Sequence, residues 1–192
     1  MLSRYLRPAS ALMVAMVLLL GIIYPLIITG VSRVAFSVQA EGSLIRKGET
    51  LVGSTLIGQN FSDPKYFWGR PSATSPQPYN GLSSGGSNLG PLNPALIDKV
   101  KSYAKALHDA DPSNQSPIPV ELVTASASGL DPDISPAAAE YQASRVARLR
   151  NMPLAAVQAL VAQHQRGPLL GVFGESQVNV LELNLALDQQ PH

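Results

Sequence analysis

Apolar positions are distributed unevenly along the chain. From Pro8 to Ser32 there are 25 residues without a formal charge, and their centre, Ala11 to Ile28, reads ALMVAMVLLLGIIYPLII. A bilayer core takes about 20 apolar residues as helix, so this run predicts one membrane span over about residues 11–31. Pro25 lies near its outer end, where neighbouring groups can satisfy the carbonyl it frees, so only a mild kink is expected. Beyond the span the pattern changes. Residues 44–58 read as extended, with Leu51–Ile57 the best strand signal, bounded by Gly48 and Gly58. Gly69–Pro94 is a 26-residue stretch of Gly, Pro, Ser and Asn, longer than an ordinary connection. The aromatics Tyr66, Phe67, Trp68 and Tyr79 accompany it and predict an ordered, packed loop.

The second half is patterned for helices. Asn93 caps and Pro94 follows in the first turn, with Leu96, Val100, Ala104 and Leu107 on one face. Pro119 opens a short helix through Leu122 and Val123. Ser135 and Pro136 open another, with Ala138, Tyr141, Val146 and Leu149 inward. Pro153 opens a fourth, with Leu154, Val157, Leu160 and Val161 inward, ending at Gly167-Pro168. Leu181, Leu183, Leu185 and Leu187 alternate like a strand, but Leu, Ala, Glu and Asn are poor strand formers, so Val178–Leu187 is read as helix. The fold class is therefore mixed α+β. Residues 1–35 form a short N-terminus and span, and residues 36–192 one outer domain with a small sheet from 44 to 70 and four or five helices.

Charge sets the expected orientation. Arg4 and Arg7 precede the span and all 13 acidic residues follow it, so the N-terminus is expected in the cytoplasm and the domain outside. Val38-Gln39-Ala40 would pass as a signal-peptidase site. The apolar run exceeds a signal h-region, however, and Arg33 and Phe36 separate it from that site, so a retained anchor is favoured. The net charge of +1 lacks the basic surplus of a nucleic-acid binder, and the absence of cysteine excludes disulfides and thiolate sites.

Candidate chemistry is sparse. His108 and His164 fall at helix ends, His192 is terminal, and no pair has metal-ligand spacing, so no metal site is read. Ser126 or Ser128 with His164 and Asp131 would make a hydrolytic set, but no nucleophile elbow supports it. Ser84–Gly90 is glycine-rich yet lacks the Gly-Lys-Ser/Thr ending of a phosphate loop. Asp131 and Asp133 either face a cation or form a helix-to-helix turn, and the turn is favoured.

Four stretches in order carry a resemblance: LVGSTLIGQNFSDPKYFWGRPSA (51–73), YNGLSSGGSNLGPLNP (79–94), ELVTASASGLDPDISPAAAEYQASRVA (121–147) and VNVLELNLALD (178–188). Together with the span they resemble KdpC, the small subunit of the bacterial Kdp potassium-transporting P-type ATPase. Asp133 departs from the family pattern, which has His there. The resemblance implies a non-catalytic, single-pass subunit of an ATP-driven potassium importer in the inner membrane. It would be needed for assembly and stability, beside a channel-like potassium-binding subunit and a P-type catalytic subunit. It also implies that Gln59, of Leu-Ile-Gly-Gln, bears on ATP affinity. With the domain expected outside, that effect is expected to be indirect and no cofactor is expected to bind directly. Tyr79, Asn80, Gly85, Gly86, Ser87 and Asn88 are the candidate partner-facing residues. The alternative reading is an anchored extracytoplasmic ligand-binding module.

Overall fold

The computed structural model describes residues 2–190, so His192 lies outside the described residues. The chain divides between Leu44 and Ile45 into two compact units. The first is helical: α1 (Leu2–Leu18), a π-turn (Leu19–Ile23), α2 (Tyr24–Ala35) and a short α3 (Ser37–Ala40). Arg4–Ala35 is long and apolar enough to cross a membrane, and none of its most apolar stretch is buried. A helix apolar on all sides and covered by nothing matches a lipid-facing span. The π-turn ends two residues before Pro25, and the Tyr24 N–H donates five residues back, to the Leu19 carbonyl. Proline has no N–H for the carbonyl four residues back, and its ring crowds that carbonyl. The wider turn relieves both problems.

The second unit begins with a hairpin of β1 (Leu44–Lys47) and β2 (Thr50–Ser54). Gly48 turns it at φ +63°, a conformation glycine adopts without steric cost. The strand expected over Leu51–Ile57 stops at Ser54, and Ile57 meets Ser54 only through an isolated bridge. No helix or strand follows until α4 (Pro94–Ala110), capped by Asn93, whose side chain accepts from the Ala95 N–H. A 3-10 turn (Val120–Leu122) follows Pro119. Then come β3 (Asp133–Ile134), α5 (Pro136–Leu149), α6 (Leu154–Gln163), β4 (Gln165–Arg166), β5 (Gln177–Asn179) and α7 (Val180–Asp188).

A second, antiparallel sheet in the order β3-β5-β4 was not expected, since the sheet was placed wholly within 44–70. Its strands are two or three residues long, too short to show alternation, and come from distant parts of the chain. Val178 pairs with Ile134 on one side and Gln165 on the other. The pairing also moves the end of the helix expected from Pro153. α6 stops at Gln163, and the chain pairs as β4 before it reaches Gly167-Pro168. The ambiguous C-terminal run resolves as strand, then helix. Asn179 ends β5 and caps α7 by accepting from the Glu182 N–H.

The core joins Phe67, Ile134, Ala138, Val146, Val157, Val178, Leu183 and Leu187, all essentially inaccessible. Two expected core residues lie outside it: Leu149 is 46% exposed and Leu154 41%. They flank the turn from α5 to α6, at the rim of the packed pair.

Candidate functional site

The segment just before the long loop, Pro64–Trp68, crosses the core without becoming a strand, so its backbone groups need partners from side chains. α5 and α7 supply them. Asn184 accepts from the Phe67 N–H and donates to the Phe67 carbonyl, both at 2.9 Å. Gln142 accepts from the Trp68 N–H at 2.9 Å and donates to the Trp68 carbonyl at 3.1 Å. Arg145, 2% exposed, donates to the Pro64 and Tyr66 carbonyls and to Gln142 Oε1, and its guanidinium lies 4.7 Å from the Trp68 ring centroid. Burial pulls the Arg145 pKa down to about 10, still well above neutrality, so the guanidinium stays charged. Arg150 donates to the Lys65 carbonyl and pairs with Asp188 at 2.8 Å, while Tyr66 donates to the same carboxylate. None of these roles was read from the sequence. The legible signal was that Gln142 and Arg145 share the inward stripe of α5 with Ala138 and Val146, and that Asn184 interrupts a leucine run.

The clamped segment leads into a joint centred on Tyr79. Tyr79 has a left-handed backbone (φ +56°) and donates its hydroxyl to the Arg70 carbonyl at 2.5 Å. Its N–H donates to Ser72 Oγ at 2.8 Å. The ring occupies space left by two glycines. A Cβ at Gly58 would lie 2.4 Å from Tyr79 Cε1, and one at Gly69 2.8 Å from its hydroxyl. Burial, and next the Asp131 carboxylate, push the phenol up to about 12. Arg70 pairs with Asp131 Oδ2 at 3.0 Å, and Asp131 Oδ1 accepts from the Asp133 N–H. Asp131 therefore closes a turn and an ion pair. Asp133 has a buried Oδ1 without a partner, and burial raises its carboxyl above the usual range.

Gln59 stands beside this joint. Its amide donates to the Val52 carbonyl of β2 at 2.7 Å and packs over Gly53. It also lines a pocket of about 390 Å³ with Phe61, Trp68, Arg70, Tyr79 and Tyr103.

The loop candidates fold back on the chain. Thr74 Oγ1 accepts from the Asn80 N–H at 3.0 Å, and the Asn80 side chain donates to the Ser75 carbonyl at 2.9 Å. The Gly85 N–H donates to the Ser128 carbonyl at 2.9 Å, and Gly86 packs against the Ala127 backbone. Neither glycine has a left-handed backbone. Asn88 does, at φ +52°, as does Gly129 at φ +66° in the strand of chain beneath. Ser87 is half-buried, against a small crevice shared with Ala73 and Tyr103. The structure thus ties this strap to its neighbours, Tyr79 and Asn80 to residues 70–75 and Gly85 and Gly86 to the Ala127–Ser128 backbone. Gln59 joins the same region through the pocket wall it shares with Tyr79.

The hydrolytic set is not assembled. Ser126 Oγ accepts from the Gly129 N–H, Asp131 holds Arg70, and His164 Nδ1 lies 2.9 Å from the Leu160 carbonyl at the end of α6.

Fold and site define a class: a protein with one described helix long and apolar enough to span a membrane, and a small mixed domain whose buried polar side chains hold its own loop segment. A family model described as "KdpC: K+-transporting ATPase, c chain" matches residues 6–189. The chain is 63% identical over 187 residues to the potassium-transporting ATPase KdpC subunit of Variovorax paradoxus, covering 97% of both. It is 62% identical over 182 residues to that of Ralstonia nicotianae, covering 95% of this chain and 89% of the relative. Against that of Dechloromonas aromatica it is 62% identical over 183 residues, covering 95% and 96%. The chain belongs to the KdpC family and is a subunit of a K+-transporting ATPase.

Proposed function

We propose that the chain is a non-catalytic accessory subunit that supports assembly and stability of an ATP-driven potassium importer in the inner membrane. Residues 1–35 serve as anchor, with the N-terminus in the cytoplasm, and residues 36–192 as the extracytoplasmic domain. Its partners are a channel-like potassium-binding subunit and a P-type catalytic subunit. Tyr79, Asn80, Gly85, Gly86, Ser87 and Asn88 form a stiff strap for one of them. The observation that carries this reading is the family match along nearly the whole chain, joined to a site where Tyr79, Asn80, Arg70 and Asp131 bond within the domain.

Any influence on ATP affinity acts indirectly. The Gln59 amide already donates to Val52, where it fixes β2 against the pocket wall. The charge bias puts the domain on the side without ATP. A tenfold change in the partner's apparent affinity needs only about 1.4 kcal/mol of coupling, and by linkage ATP would tighten this subunit's own binding equally. Co-purification from membranes tests the partners, with stoichiometric recovery expected. Calorimetry of the full chain with ATP tests the contact. No saturable heat is expected, and heat abolished by Gln59→Ala would establish direct binding instead. A second reading, an anchored ligand-binding module, draws on the pocket of about 390 Å³, a size that admits a small molecule.

A further inference from the structure

Between β4 and β5 the chain forms a hairpin tip, residues 167–174, with the sequence Gly-Pro-Leu-Leu-Gly-Val-Phe-Gly and no formal charge. Leu169 and Phe173 close it through paired backbone hydrogen bonds of 2.8 and 3.0 Å. Leu169 is 71% exposed, Leu170 83%, Val172 76% and Phe173 65%. Scattered exposed leucines are ordinary, but four large apolar side chains in five residues form a patch that marks an interaction surface.

The backbone adds a second observation. Leu170 and Gly171 turn the tip at φ +54° and +76°. Such turns take Asn, Asp or Gly at both central positions, because a bulky side chain is strained in the left-handed region. An exposed leucine held there gives the isolated unit neither packing nor backbone ease. Strain of this kind points to function when it is observed directly.

We propose that this tip is a second membrane contact and inserts into the interfacial region of the bilayer that holds the N-terminal helix. This rests on that helix being a retained anchor. Two features favour lipid over a protein socket. Protein hot spots are built on Trp, Tyr and Arg with directed hydrogen bonds, and the tip offers no polar side chain across eight residues. Binding at a bilayer interface grows with buried apolar area and needs no directed hydrogen bond. Secondly, residues 36–43 are the whole tether, and eight residues reach at most about 28 Å. The bilayer is therefore an apolar phase the unit never leaves, and a second apolar group on one chain binds it at high effective concentration.

The absence of cysteine makes the test direct. Val172→Cys in the full chain is labelled with an environment-sensitive fluorophore and reconstituted into phosphatidylethanolamine–phosphatidylglycerol vesicles. Acyl-chain nitroxides should quench the label and aqueous iodide should not. Adding Leu170→Asn and Phe173→Ser should reverse this and leave the melting temperature unchanged or raised, since Asn suits the turn. An iodide-quenched label on a chain that still floats with the vesicles would overturn the tip contact alone. A chain that fails to float would overturn the anchor and the tip together. Lipid quenching that survives the double substitution would overturn the tip as its cause. Shielding from both quenchers only when the other ATPase subunits are present would overturn lipid in favour of a protein socket.

Discussion

The Asn184 side chain takes the place of a neighbouring β-strand for Phe67, accepting from its N–H and donating to its carbonyl at 2.9 Å each, 117 positions apart in the chain. With Gln142 doing the same for Trp68, the core fixes a loop segment without a strand partner. Replacing Asn184 leaves two buried backbone groups unpaired, each at about 1–3 kcal/mol. Asn184→Leu should therefore lose about 2–6 kcal/mol, read by thermal or denaturant unfolding in detergent. Retention of wild-type stability would show that Arg145 and Gln142 suffice.

Tyr79 gives a pH signature. Its folded pKa, about 12, lies above the ordinary 10, so its contribution is complete below pH 10 and is lost as pH rises through 12. Tyr79→Phe should cost about 1 kcal/mol at neutral pH for the lost bond to the Arg70 carbonyl. By pH 12 the wild type should forfeit about 2 kcal/mol that the variant keeps, and the order of stability should reverse. A stability difference that stays constant from pH 9 to 12 would refute burial of the phenol.

Gly129, not Gly85, carries the strap's backbone requirement. At Gly129 φ is +66°, and a Cβ would lie 2.7 Å from both the Gly85 carbonyl oxygen and Thr74 Cγ2. At Gly85 a Cβ meets nothing within 4 Å. Gly129→Ala should cost about 2–4 kcal/mol and weaken recovery of the assembled complex. Gly85→Ala should stay within about 0.5 kcal/mol. Equal melting temperatures for the two variants would contradict this assignment.

The orientation is checked with Ser113→Cys, an exposed position on the connection after α4. An impermeant thiol reagent should label it on intact spheroplasts. Labelling that requires opening the inner membrane would place the domain in the cytoplasm and restore direct ATP contact.

Elements governed by local chemistry were legible in the sequence. The long apolar N-terminal helix announced itself by 25 uncharged residues. Asn93-Pro94 and Ser135-Pro136 set helix starts through caps that act within three residues. The long stretch before α4 was legible as an ordered loop from its aromatics. What the tertiary structure decided depends on partners far apart in the chain. The sheet of β3, β5 and β4 joins residues 133–134, 165–166 and 177–179, segments too short to carry a period. Gln142, Arg145 and Asn184 lie inside because the loop opposite them presents bare backbone, and only the folded chain brings that backbone to their helices. Gln59 and Asp131 depend on the fold in the same way: each satisfies a neighbour that sequence spacing does not reveal. Local propensity depends on adjacent residues and can be read along the chain, whereas pairing of buried polar groups depends on which surfaces meet after folding.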